Sequence, residues 1–133
     1  MNPERVFFDT NIVFYAHDID AGAKHTRAKR LVLSAWEGEV DPCISAQVLQ
    51  ELLVNLRRHG LADSAAVSTV MDYLVWRTVD NNVQVFLDAV DLMQSHQLSF
   101  WDASIIAAAV NAGAGELWTE DLNPGQMYGK IKA

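Results

Sequence analysis

A single cysteine, Cys43, three prolines and seven glycines are all that 133 residues hold of those types. One cysteine cannot close an internal disulfide, so the fold must rest on packing, and a reducing compartment is expected. No stretch approaches the roughly 20 consecutive apolar residues of a membrane span. The start, Met1-Asn2-Pro3-Glu4-Arg5, lacks the charged-then-apolar pattern of a secretion signal. A cytoplasmic protein without membrane attachment is therefore expected. There is no GxGxxG or Walker-type glycine loop to cradle a nucleotide, and no ordered Ser-His-acid or Cys-His set for nucleophilic catalysis. Positive charge is also scarce: ten Lys and Arg face seventeen Asp and Glu, for a net charge of −7. That balance excludes holding nucleic acid by bulk charge alone, but leaves it open where bound cations invert the local field.

What is present is core. Half of the residues are hydrophobic and a fifth are charged, enough for one compact domain over residues 1–133 and inconsistent with disorder. Val6-Phe7-Phe8 is a short apolar run of strand formers ending at Asp9, the pattern of a strand buried on both faces. Asp9-Thr10-Asn11 supplies capping chemistry for a helix through Ala16. Residues 17–24 read as a polar loop, and Ala28, Leu31, Val32 and Ala35 as the buried stripe of a helix from His25 to Trp36 that ends at Gly38. A second strand is expected at Asp41–Ile44. Ser45 then caps a helix to Arg58, with Arg57 and Arg58 favourably placed in its last turn.

Further helices are predicted from Asp63 to about Trp76, from Val83 to Gln97, and from Phe100 to Asn111 behind a Ser99 cap. Weak strand signals lie at Thr78-Val79, with a clearer one at Glu116–Thr119 and a short edge strand within Tyr128–Ala133. Strands alternating with helices, without hairpin dipeptides, predict a three-layer α/β/α sandwich around a mainly parallel sheet of about four or five strands.

In such sheets ligands bind beyond the carboxyl ends of the strands. Asp9 directly follows the first strand, and Thr119-Glu120-Asp121 follows a late one. Each acid has an ordinary structural role: Asp9 as a helix cap, Asp121 as a turn residue, Asp102 within the Ser99-x-x-Asp cap. Asp102, however, opens a helix that is apolar nearly all round, where a charge needs a partner or a cation. Glu51 falls at the rim of the apolar face formed by Val48, Leu49, Leu52, Leu53 and Leu56. Carboxylates meeting in one cleft repel unless divalent cations sit between them, and hard oxygen donors suit Mg²⁺ or Mn²⁺. Such cations polarise phosphoryl oxygens and activate water.

Phe8-Asp9-Thr10-Asn11, Glu51 within the segment from Ser45, Ser99-Phe-Trp-Asp102-Ala, and Thr119-Glu-Asp121-Leu together resemble the PIN-domain ribonucleases. More narrowly, they resemble the VapC-type toxins of bacterial toxin–antitoxin modules. The ordered set covers nearly the whole chain. The resemblance implies a Mg²⁺- or Mn²⁺-dependent endoribonuclease leaving a 5′-phosphate and a 3′-hydroxyl. Asp9, Glu51, Asp102 and Asp121 match the family's four acidic positions; Asp9 and Asp102 would be the direct ligands, Asp121 would bind or orient metal or water, and Glu51 would complete the site or assist the water. Thr119 and Asn11 match supporting polar positions. An RNA substrate, a homodimer and a cognate antitoxin whose tail covers the acidic cleft are the implied partners. One departure is at the end of the chain, where relatives often continue to Asn-Pro-Phe and this sequence stops at Ala133.

Lys24, Arg27, Lys29 and Arg30, with His25, form the one dense basic cluster, expected to guide RNA. His17, His25, His59 and His96 show no ligand spacing, and the four tryptophans are expected in core or interface. A non-catalytic binding module is the alternative from another class. A haloacid-dehalogenase-like phosphatase needs Asp-x-Asp after the first strand, where this chain has Asn11. A signalling receiver domain needs an acid pair after strand one and a phospho-accepting Asp after a central strand, and neither is evident.

Overall fold

The computed structural model describes residues 2–120, 127–128 and 131–132. Strand β1 (Arg5–Phe8) leads into helix α1 (Thr10–His17), a 3₁₀ turn at Ile19–Ala21 and helix α2 (Ala23–Trp36). Next come β2 (Asp41–Ser45), α3 (Ala46–Arg58), α4 (Asp63–Asp72), a second 3₁₀ turn at Tyr73–Val75 and β3 (Arg77–Val79). The chain closes with α5 (Val83–His96), α6 (Phe100–Asn111), β4 (Glu116–Trp118), β5 (Met127–Tyr128) and β6 (Ile131–Lys132).

The six strands lie in the order β3-β2-β1-β4-β6-β5. All neighbours pair in parallel except β5, which runs antiparallel to β6 at the edge. The α/β class with a mainly parallel sheet is thus as expected, with one strand more than anticipated. The single edge strand expected near Tyr128 is two short strands, of which β6 extends the parallel sheet from β4. Two further boundaries differ from the sequence reading. Asp18 accepts a hydrogen bond from the Asp20 amide, which turns part of the expected 17–24 loop into a 3₁₀ turn and lets α2 begin at Ala23. The α-helix opened by Asp63 stops at Asp72, because Tyr73 and Trp76 stack edge to face, their ring centroids 4.8 Å apart, and the backbone tightens between them.

From β1 through β2 to β3 the chain steps one way across the sheet; from β3 to β4 it returns past β1. Right-handed crossovers therefore place α1–α4 on one face and α5–α6 on the other. The direction reverses between β1 and β4, and the carboxyl ends of those two strands form the crevice where open α/β sheets bind ligands. Phe7, Phe8, Ile44, Leu52, Ile106 and Leu117 are fully buried around this sheet. Phe8 packs against Trp76 at 4.9 Å and Trp118 at 5.0 Å between centroids. Trp76 is buried as expected, whereas Trp36 and Trp101 are 44% and 66% exposed. No helix among the described residues is long and apolar enough to cross a membrane.

Cys43, on β2, has no solvent exposure, and burial pushes its thiol up to about 12. A thiol held there is almost wholly protonated at pH 8, and the thiolate is the reactive form. Native protein should resist alkylation by iodoacetamide at pH 8 and react once unfolded in guanidinium. Rapid native labelling, followed by mass spectrometry, would contradict this placement.

Candidate active site

The site begins where β1 ends. The Asp9 amide donates to the Trp118 carbonyl at 3.0 Å, continuing the β1–β4 ladder by one rung. The chain then turns into α1, and Asp9 caps that helix: its Oδ1 accepts from the Thr10 amide at 2.7 Å. Its other oxygen, Oδ2, accepts from the Thr119 hydroxyl at 2.8 Å, just past the end of β4. The cap and the cross-strand contact together hold a carboxylate that is only 7% exposed. Capping is thus a real role of Asp9, and its other oxygen is engaged across the sheet.

Thr10 carries the connection onward. Its hydroxyl donates to Glu51 Oε2 at 2.7 Å, and Gln47 Nε2, one turn earlier on α3, donates to Glu51 Oε1 at 2.9 Å. Gln47 is itself buried, and its Oε1 lies 2.9 Å from the Ser104 hydroxyl on α6. That hydroxyl also lies 2.8 Å from the Trp101 carbonyl, and its one proton serves one acceptor at a time. A chain of polar contacts therefore runs from Thr119 through Asp9, Thr10, Glu51 and Gln47 to Ser104. It ties β4, β1, α3 and α6 together at the carboxyl end of the sheet.

Asp9 and Glu51 face one cleft of about 400 Å³, which Thr10, Asn11, Phe14, Tyr15, Asp18, Asn55 and His59 also line. Among the described residues its lining holds three carboxylates and neither Lys nor Arg. Asp102 is half-buried in the first turn of α6, where its amide donates to Ser99 Oγ at 3.1 Å, the expected cap. It does not line that cleft, although Ser104, one turn on, is bonded into the same network. Asp121 lies outside the described residues. Among the described residues, no three His, Cys, Asp or Glu side chains converge as a ready-made cation cage.

Asp9 and Glu51 nevertheless offer the donors a hard cation needs. Each of their four carboxylate oxygens accepts one of the hydrogen bonds above. A carboxylate oxygen has about two acceptor sites, so accepting a hydrogen bond and binding a cation are compatible on one oxygen. Both carboxylates offer the hard oxygen donors that Mg²⁺ or Mn²⁺ favours, and among the described lining His59 adds an imidazole.

The basic cluster on α2 is divided by the helix. Lys24 and Arg27 line a larger, mostly apolar cleft of about 740 Å³ with Ile12, Tyr15, Leu31, Leu117, Trp118 and Thr119. Lys29 and Arg30 face a separate hollow with Glu37 and Glu39. Lys24 is moreover paired with Glu120 at 3.4 Å and sits 5.1 Å over the Tyr15 ring. Tyr15 donates to Glu120 at 2.9 Å, which raises its phenol above the usual range. The cluster is thus spread over two hollows.

Sequence reasoning missed Thr10, Gln47 and Ser104 as the links between the acids, and His59 as a wall of the cleft. Gln47 and Glu51 are one helical turn apart, a pair the periodicity contains. Glu51, Asn55 and His59 follow at steps of four, and so share one side of α3 and its cap.

A profile of the PIN domain matches residues 6–130. Among solved structures, the Mycobacterium tuberculosis toxin VapC20, described as cleaving the sarcin–ricin loop, superposes with a TM-score of 0.69 at 22% identity. That match covers 96% of this chain and 99% of the other. A toxin–antitoxin complex from Klebsiella pneumoniae matches with a TM-score of 0.66 at 26% identity, over 87% of this chain and 86% of that one. VapBC2 from Rickettsia felis, bound to a DNA fragment from its promoter, matches with a TM-score of 0.62 at 20% identity, covering 88% and 87%. No curated protein sequence matches the chain.

Proposed function

The chain belongs to the PIN-domain family, and from that premise we propose that it is a divalent-metal-dependent endoribonuclease, the toxin of a bacterial toxin–antitoxin pair acting in the cytoplasm. The observation that carries the proposal is the hydrogen-bonded run Thr119–Asp9–Thr10–Glu51 at the point where strand order reverses. Two residues from the first strand–helix junction and one from α3 line an acidic cleft, and Thr119, from just after β4, holds one of them in place.

In this reading Asp9, Asp102 and Asp121 would hold the cation, Asp102 reaching it from α6 beside the cleft, and Glu51 would complete the site. Bound there, Mg²⁺ or Mn²⁺ supplies polarisation of a phosphoryl oxygen and acidification of water. The remaining work belongs to the chain. Thr119 and the α1 amide hold Asp9 in one orientation, and Thr10 with Gln47 fixes both oxygens of Glu51. A Glu51 carboxylate so anchored can orient the attacking water and take its proton. As the water oxygen joins phosphorus, the bond to the 3′-oxygen breaks and that oxygen is protonated, leaving 5′-phosphate and 3′-hydroxyl ends.

A cognate antitoxin is the proposed protein partner, and complexes of toxin with antitoxin are among the structural neighbours. The apolar cleft bordered by Ile12, Leu31, Leu117 and Trp118 opens beside Thr119, and an antitoxin tail seated there could reach Asp9. Homodimerisation is proposed through exposed apolar residues such as Val83, Phe86 and Leu87 on α5.

The test is cleavage of total bacterial RNA by purified protein in Mg²⁺, Mn²⁺ or EDTA, with Asp102→Asn alongside. Discrete fragments should appear only with metal and only for the unaltered chain. Mg²⁺ should also raise the melting temperature, since a ligand at 100 times its Kd adds about 2.7 kcal/mol to the native state. Undiminished cutting in EDTA or by Asp102→Asn would refute the mechanism, and absence of cutting in every metal would refute the activity.

A further inference from the structure

His59 closes the far side of the carboxylate cleft, and its ring is held by two contacts. Its Nδ1 lies 2.9 Å from the Asn55 carbonyl, one turn back, and its plane packs on buried Phe14 with centroids 4.7 Å apart. A carbonyl oxygen only accepts, which assigns the Nδ1 proton to this bond. The same carbonyl also takes the His59 amide at 3.1 Å, so the residue is pinned through backbone and side chain. Nε2 is left over. It has no hydrogen-bond partner among the described residues, on a ring whose residue lines the cleft with Glu51 and Asn55.

These contacts close the C-terminus of α3, and they also hold the ring in one orientation beside the cleft, as a group that meets a ligand requires. The surroundings select the ligand's chemistry. With Asp9, Asp18 and Glu51 lining the same cleft and no Lys or Arg among its described lining, a phosphate oxygen is repelled there unless a cation accompanies it. The neutral part of the lining, Asn11, Asn55 and His59, suits sugar hydroxyls. A ribose 2′-hydroxyl both donates and accepts, so it matches Nε2 whether the ring is neutral or cationic. It is also the group by which proteins tell RNA from DNA.

Building on the nuclease reading above, we propose that His59 is a specificity-determining residue that receives, through Nε2, the 2′-hydroxyl of a nucleotide beside the scissile phosphate. Its effect is selectivity for ribose at one position of the substrate strand.

The test crosses the variant with the substrate. The cut site is mapped in total RNA, and a synthetic single-stranded RNA spanning it is prepared with single 2′-deoxy substitutions flanking the cut. The unaltered chain should lose about fivefold in kcat/KM at one such position, the worth of an ordinary hydrogen bond. His59→Phe keeps the ring stacked on Phe14 and removes Nε2. It should lose a similar factor on all-ribose substrate and be indifferent to the same 2′-deoxy change. His59→Gln, which places an amide near the Nε2 position, should restore part of the discrimination. A merely structural His59 would leave the 2′-deoxy penalty equal in all three proteins, and that result overturns the proposal while the nuclease reading stands. Failure of the unaltered chain to cut any RNA overturns both.

Discussion

Asp9→Asn should abolish metal-dependent RNA cleavage, by at least about a hundredfold, while leaving the fold intact. Disturbing only the outer partners of a metal ligand costs about 10- to 100-fold, and this substitution removes the charge of a carboxylate proposed to hold the metal itself. The choice of asparagine separates chemistry from architecture. Asp9 Oδ1 caps α1 and Oδ2 receives the Thr119 hydroxyl. Asparagine caps helices as well as aspartate does, whereas alanine sacrifices about 1 kcal/mol at such a position. Asp9→Asn should therefore melt close to the unaltered protein, and Asp9→Ala below it. Circular dichroism melts of both variants, beside the cleavage assay, read the two effects independently. Retained cleavage by a folded Asp9→Asn protein would remove Asp9 from the chemistry and leave it as a cap.

The largest loss of stability should come from the residue immediately before. Phe8 is fully buried and its ring meets both Trp76, just after the 3₁₀ turn before β3, and Trp118 on β4. Replacing a core phenylalanine by alanine costs about 3–5 kcal/mol, from lost transfer energy and the cavity left behind. That is a large share of the roughly 5–15 kcal/mol that holds a domain together. Phe8→Ala should lower the melting temperature by about 10 °C or more, and Phe8→Leu by much less, since it refills most of the volume. Because β1 positions Asp9 against Trp118 by a single hydrogen bond of the ladder, cleavage should fall in Phe8→Ala even below its unfolding temperature. A melt indistinguishable from the parent would mean that the cavity collapses without cost, contrary to the packing around this ring.

Much of this architecture is legible along the chain because local chemistry and global fold agree. Ser45, Ser99 and Asp9 cap the helices that their side chains announce. The apolar strand Val6-Phe7-Phe8 lies at the sheet's centre, between β2 and β4. Errors concentrate where tertiary packing overrides local preference. The stacking of Tyr73 on Trp76 shortens α4, and a two-residue strand such as β6 has too few positions to show any period. The same holds for charge: the basic residues between Lys24 and Arg30 cluster in sequence, yet their side chains line two separate hollows.

By itself the sequence determined the α/β class, the single core, and the placement of Asp9 and Thr119 after strands and of Glu51 and Asp102 on helices. These follow from periodicity and capping, which act over a few residues. Only the tertiary structure decided which polar groups meet. Thr10 and Gln47 grip Glu51, Thr119 crosses 110 positions to reach Asp9, and His59 is pinned with one nitrogen facing the same cleft. Such contacts depend on strand order and crossover hand, and no local pattern encodes a distance between residues that the chain itself keeps far apart.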